Sequence, residues 1–148
     1  MISLKINNEY AQLKTVVLGI AKDFGGTPKM EDCYDPKSRE HVKNGNFPIE
    51  ESLVNELNQF LKVFKKYNVE VLRPDNIKNL NQVFSRDIAF VIEDKIIIPN
   101  IINERKEEID GVKSIIEKID SKNIVILSEE SSIEGGDIIV HNEDIFIG

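Results

Sequence analysis

The chain has 148 residues, 41% of them hydrophobic, and its 19 basic against 26 acidic side chains give a formal net charge of −7. One domain over residues 1–148 accommodates that length, and the acidity excludes nucleic acid, whose phosphate backbone demands a basic face. No run reaches the ~18 apolar residues that a membrane span needs, and one cysteine cannot form an internal disulfide, so the expectation is no membrane partner and a reducing cytoplasm.

In chain order, Lys14–Ala21 is a β-branched apolar run and predicts a buried strand. From Lys22 to Pro48 the composition shifts to turn formers, including Gly25-Gly26, Pro28, Pro36 and Asn44-Gly45-Asn46. This stretch is expected as a long loop of the kind that serves as a lid. Pro48 and Glu50-Glu51 mark a helix start, and Leu53, Leu57, Phe60, Leu61 and Phe64 carry an amphipathic stripe to about Tyr67. Val69–Leu72 is a short strand stopped by Pro74. A hairpin runs from about Asp87 to Pro99, turning at Glu93-Asp94. A second amphipathic helix covers about Asn103 to Ile119 and buries Ile109, Val112, Ile115, Ile116 and Ile119. Ile124–Leu127 is the next buried strand, and a second hairpin from Asp137 to Ile147 closes the chain. The fold class is α/β.

The two hairpins are copies. Asp87, Ile88, Glu93, Asp94 and Ile97 align without a gap with Asp137, Ile138, Glu143, Asp144 and Ile147, a period of fifty residues. Units repeated at such a period bury their apolar faces mainly against one another. Carboxylates at equivalent points of successive units can then converge on one axis.

Each hairpin is led in by polar residues that sheet building does not require. In Phe84-Ser85-Arg86-Asp87, a carboxylate entering a strand could grip a guanidinium through two parallel hydrogen bonds. The competing readings are a surface Arg86–Asp87 pair or an aspartate capping a turn. In Glu134-Gly135-Gly136-Asp137, two glycines between two acids permit a sharp turn or a close approach to a ligand, and Glu134 could orient a histidine or act on a substrate nitrogen. A tight turn with exposed acids is the plain alternative. Cys33 and His41 could be paired as thiol and imidazole, but a free, unreactive thiol is the simpler expectation. His141 is expected to face solvent. These widely separated residues make no metal site, and no cofactor-binding motif is present.

The run Asn81–Ile92 resembles the Phe-x-Arg-Asp strand of the guanidino-modifying enzymes: the arginine and glycine amidinotransferases, arginine deiminases and dimethylarginine dimethylaminohydrolases. Ile133-Glu134-Gly135-Gly136-Asp137, with Ile145-Phe146-Ile147-Gly148, is similar to their Glu-Gly-Gly-Asp block, and Asp35–Ser38 through Gly45–Pro48 resembles the amidinotransferase side. The resemblance implies a pentein-type α/β propeller of five ββαβ modules, of which about three fit this chain. It implies attack of a cysteine thiolate on the guanidinium carbon of an arginine-like substrate, histidine protonation of the leaving amine, and release of the amidino group to water or an amine. Carried over, Glu134 is the catalytic carboxylate and Asp87 binds the substrate guanidinium. Arg86 supports Asp87, and Asp137 is a secondary acid of the same substrate-binding set. The family's His and nucleophilic Cys lie beyond the position of Gly148, so the chain alone is expected to be an inactive N-terminal part. Self-association or pairing with the missing C-terminal half is the expected consequence. The alternative is a non-catalytic module for guanidino ligands or for assembly.

Overall fold

The computed structural model describes residues 1–148. Strand β1 (Thr15–Val17) pairs in parallel with β2 (Glu70–Leu72), and between them lie helices α1 (Pro36–Lys43) and α2 (Glu50–Lys66). A one-turn helix, α3 (Ser85–Ile88), leads into the hairpin β3 (Phe90–Ile92) and β4 (Lys95–Ile98). A 3₁₀ stretch over Asn103–Val112 runs into α4 (Lys113–Ile116), and β5 (Ile124–Ile126) then pairs in parallel with β4. A short 3₁₀ turn at Gly135–Asp137 opens the second hairpin, β6 (Ile138–His141) and β7 (Asp144–Ile147). No helix is long and apolar enough to cross a membrane.

The mixed α/β order follows the sequence pattern, with four corrections. The Lys22–Pro48 loop contains α1, which starts because the Asp35 carboxylate accepts from the Ser38 backbone N–H at 2.7 Å and Pro36 takes the first helical position. The helix expected over Asn103–Ile119 is 3₁₀ for its first ten residues, and Ile109 and Ile116 are only half-buried. Strand β5 is half-exposed rather than buried, with Ile126 open to solvent. Asp87 lies on the turn of α3, not at a strand entry.

The repeat is also shifted by one residue. Glu93 and Asn142 both take positive φ, at 52° and 54°, and both backbone N–H groups donate to the N-terminal segment, at Ile6 and Asn7. The turns therefore superpose with an offset of 49, Glu93 on Asn142, which moves Asp87 onto Gly136 rather than Asp137.

The core consists of three small clusters. One gathers Ile88, Ile101, Val112 and Ile115 beneath Val17 and Leu72. A second packs Ile96 and Ile98 on Ile119, Ile109 and Ile116. The third joins the hairpins, setting Phe90, Ile92 and Ile97 against Ile138 and Val140. Residues 2–9 run as a strap across both hairpins, bridging Ile6 to Glu93 and Asn8 to His141. The lead-ins of the two hairpins are thereby held side by side.

Candidate functional site

Where the lead-ins meet, one guanidinium organises three carboxylates. Arg105 sits on the 3₁₀ stretch, where residues three apart eclipse one another. That geometry stacks it on Glu108 as a bidentate pair, Nε to Oε1 at 2.7 Å and Nη2 to Oε2 at 2.9 Å. Nη1 reaches Asp87 Oδ2 at 2.9 Å and Glu134 Oε2 at 3.2 Å, and Nη2 also approaches the Phe84 carbonyl at 3.5 Å. Four hydrogen bonds use four of the five N–H donors of the guanidinium, and Glu134 is held beside Nη1 as an ion pair. Arg105 and Glu108 are buried, with side chains 6% and 5% exposed; Asp87 is 20% exposed and Glu134 33%.

Three carboxylates around one guanidinium leave an excess of negative charge. Burial works against the cation of Arg105, yet the hydrogen bonds it donates to Glu108 and Asp87 outweigh it and hold the group charged at any ordinary pH. Burial pushes Glu108 above the usual carboxylate range, and the negative charges of Asp87 and Glu134 add to that. Tyr34, just before α1, is within electrostatic reach of Arg105, Glu108 and Glu134, and burial raises its phenol.

Two glycines let the units approach this closely. A Cβ on Gly135 would collide with the Arg86 carbonyl and the Phe90 ring, and one on Gly136 would sit 2.5 Å from Asp87 Oδ1. The pair serves contact between the repeats rather than a positive φ, since neither glycine takes one. Arg86 does not pair with Asp87. It donates from Nε to the Gly135 carbonyl at 3.0 Å and from Nη2 to the Ile138 carbonyl at 2.8 Å, and it meets Glu9 at 2.9 Å. Arg86 thus anchors the turn that carries Glu134 and lies against Asp87. Asp137 is exposed, and its backbone closes the 3₁₀ turn and accepts from Gly148 N–H at 2.9 Å.

The structure therefore brings Asp87 and Glu134 together and leaves Asp137 at the rim. Cys33 is buried and its Sγ donates to the Lys29 carbonyl at 3.3 Å, while His41 Nδ1 lies 3.0 Å from Asn46 Oδ1. No thiol–imidazole contact links Cys33 to His41. His141 is exposed, with its ring beside Tyr10 at 5.6 Å. Sequence reasoning missed Arg105, Glu108, Glu9 and Tyr34. The signal for the first two was present: Arg105, Glu108, Val112, Ile115 and Ile119 share one helical stripe, so two charges occupy its buried face.

The family model described as N,N dimethylarginine dimethylhydrolase, eukaryotic, matches residues 30–148. Among curated proteins, the uncharacterized protein YkgA of Bacillus subtilis (strain 168) is 27% identical over 111 residues, covering 73% of this chain and 35% of that protein. Among solved structures, the inosamine-phosphate amidinotransferase of Streptomyces griseus superposes with a TM-score of 0.70 at 13% identity, covering 97% of this chain and 55% of its own. A saxitoxin-pathway amidinotransferase from Microseira wollei gives 0.70 at 15%, covering 95% and 53%. The dimethylarginine dimethylaminohydrolase of Pseudomonas aeruginosa, solved with citrulline, gives 0.64 at 14%, covering 92% and 50%. The chain spans about a third of the curated relative's length and about half of the solved ones. These structures share its fold.

Proposed function

The chain belongs to the N,N-dimethylarginine dimethylhydrolase family, and on that premise we propose that its protein acts on a small arginine-like guanidino substrate, with residues 1–148 supplying the carboxylates that grip it. The observation that carries this reading is the convergence of Asp87 and Glu134, from successive repeats, on one guanidinium nitrogen. Each uses one oxygen on Arg105 and keeps a second, Asp87 Oδ1 and Glu134 Oε1, for a further planar cation. The surplus negative charge favours that cation. Glu134, more exposed than Asp87, takes the role of the catalytic acid group touching the substrate nitrogen. Arg86 fixes the turn that bears it, and Asp137 stands at the rim as the secondary acid.

The route that the family resemblance implies uses a thiolate to form a C–S bond at the guanidinium carbon and an acid to protonate the departing amine. Cys33, turned to its own turn's carbonyl, and the exposed His141 do not assemble that pair. We therefore assign the nucleophile and its histidine to a part of the protein other than residues 1–148, which alone would bind and not turn over. In that assignment the chain forms part of an α/β propeller of ββαβ modules in the cytoplasm, and either the remaining modules or a second copy covers its apolar edge. Whether water or an amine receives the amidino group is set by that other part. The second reading, a guanidino-binding or assembly module without catalysis, is favoured by the same lack of a thiol–imidazole contact.

Calorimetric titration with L-arginine tests the site. Wild-type protein is expected to bind, and Asp87→Asn to weaken binding at least tenfold with the fold intact. Equal affinity in the two proteins rules out the role given to Asp87. Glu134→Gln, assayed for turnover in the complete enzyme, is expected to lose activity, and full activity there removes Glu134 from the mechanism.

A further inference from the structure

The parallel strands β1 and β2 both lead into one cavity of about 320 Å³. Ile20, Ala21 and Lys22, which follow β1, line it together with Arg73, which directly follows β2, with Asn76 and with Val54 of α2. Crevices beyond the carboxyl ends of parallel strands are where open α/β sheets take their ligands. In a chain with a net charge of −7, this cavity has two cations in its wall and no carboxylate. The neighbouring acids are turned to other donors: Asp23 Oδ2 accepts from Asn76 Nδ2 at 2.7 Å, and Glu50 Oε2 accepts from the Asp23 backbone N–H at 3.1 Å.

Arg73 differs from the other three arginines, which are all bonded: Arg39 donates to the Cys33 carbonyl at 2.8 Å, and Arg86 and Arg105 are held as described above. Arg73 has no acceptor of its own. Its Nη1 is buried without a hydrogen bond, and burial lowers its pKa with no neighbouring charge to oppose the shift. A buried donor on an unpaired cation is costly to keep. Nε and Nη2 are neither sealed nor bonded, which leaves a guanidinium fork open to an oxyanion. We propose that this cavity is a second binding site, for a small organic anion: its carboxylate or phosphate head lies on the Arg73 fork near Lys22, and its apolar body lies against Ile20, Ala21 and Val54. The volume is that of a small-molecule site and exceeds what a bare oxyanion fills. The site is opposite in charge to the Asp87–Glu134 edge, shares no bond with it and does not rest on the guanidino-binding reading.

Acetate, butyrate and inorganic phosphate are the probes, titrated at constant ionic strength with chloride as the balancing salt so that screening stays fixed. Calorimetry gives affinities, and the NMR resonance of the Arg73 Nε–H group reports the site. Wild-type protein is expected to bind butyrate saturably and about tenfold more tightly than acetate, because two further methylenes are buried. Phosphate binding more tightly than acetate assigns a phosphate head, and the reverse assigns a carboxylate; either supports the site. Arg73→Met is expected to weaken binding by about tenfold or more and, having lost an unmet cation, to unfold at no lower temperature than wild type. Asp87→Asn is expected to bind the same anions unchanged, which separates this site from the guanidino reading. The proposal is overturned if none of the three probes binds, if Arg73→Met keeps wild-type affinity, or if that variant is less stable, which would mean that Arg73 is paired in solution. If Arg73→Met unfolds outright, the wild-type Arg73 resonance decides: a saturable shift with butyrate supports the site, and a static resonance overturns it. Binding by residues 1–148 that the complete protein lacks would mean that another part of the protein fills the cavity, and also overturns the site.

Discussion

The two hairpins are near copies in sequence and opposites in environment. Hairpin β3–β4 is covered on both faces: Ile96 and Ile98 pack on Ile109, Ile116 and Ile119, while Phe90 and Ile97 pack on the second hairpin. Its outer edge is closed by β5. Hairpin β6–β7 buries Ile138 and Val140 against the first, but the face bearing Ile139 and Phe146 is open, at 54% and 57% exposure. Strand β7 pairs only with β6. In the register set by the turns, Ile98 and Ile147 hold the same place, yet one is 8% exposed and the other 67%. Burial here is a property of position in the stack and not of the hairpin itself, as expected of units that cannot bury both faces alone.

Truncating the two equivalent isoleucines sharpens this contrast most. Ile98→Ala removes side-chain volume from a packed cluster and is expected to cost about 2–5 kcal/mol, whereas Ile147→Ala should stay within about 0.5 kcal/mol. Urea unfolding of the two variants measures both, and equal losses would mean that β7 is covered in solution. Gly135→Ala attacks the junction between the hairpins. Its Cβ must push aside the Arg86 backbone carbonyl, which is not a flexible side-chain end. A loss of about 1–3 kcal/mol is expected from such overpacking, together with weaker arginine binding because Glu134 moves with its turn. Unchanged stability would show that the lead-ins are not in contact.

Much of this stack was legible in the chain. Alternating and helical apolar patterns located every strand and the long helix α2, and the repeat indicated that the acid-bearing lead-ins of the two hairpins could converge. Helix α1 was hidden because its start signal, Asp35-Pro36 with Ser38, lies among glycines and prolines that read as loop. The one-residue error in the repeat came from weighing identical Glu-Asp pairs above turn chemistry: asparagine adopts positive φ more readily than most residues, and Asn142 takes it. The hub itself was overlooked for a physical reason. Charged residues on an apolar stripe are normally counted as its solvated edge, and only the tertiary meeting of α3, the 3₁₀ stretch and the Gly-Gly turn shows that Arg105 faces inward.

The smallest effect concerns the strap that ties the hairpins together at their partly wet rim. Glu9 accepts from Arg86 Nη2 at 2.9 Å and from the Val140 backbone N–H at 3.3 Å, so one carboxylate spans the first hairpin's lead-in and the second hairpin. The Arg86 hydrogen bond, opposed in part by burial and aided by the Val140 bond, holds Glu9 below its ordinary value of 4.5. A carboxylate depressed in the folded state contributes stability in full above its unfolded value, and that contribution fades as pH falls through the lower folded value. Glu9→Gln is therefore expected to cost stability at neutral pH and nothing once the acid is protonated in both states. Because both partners are more than a third exposed, solvent screening limits the loss to about 0.2–1 kcal/mol. Denaturant midpoints from pH 7 down through 4.5 measure it, and the curves of variant and wild type should converge at the acid end. Parallel curves, or a gap that widens on acidification, would show that the strap is held by its backbone bridges at Ile6 and Asn8 and not by this ion pair.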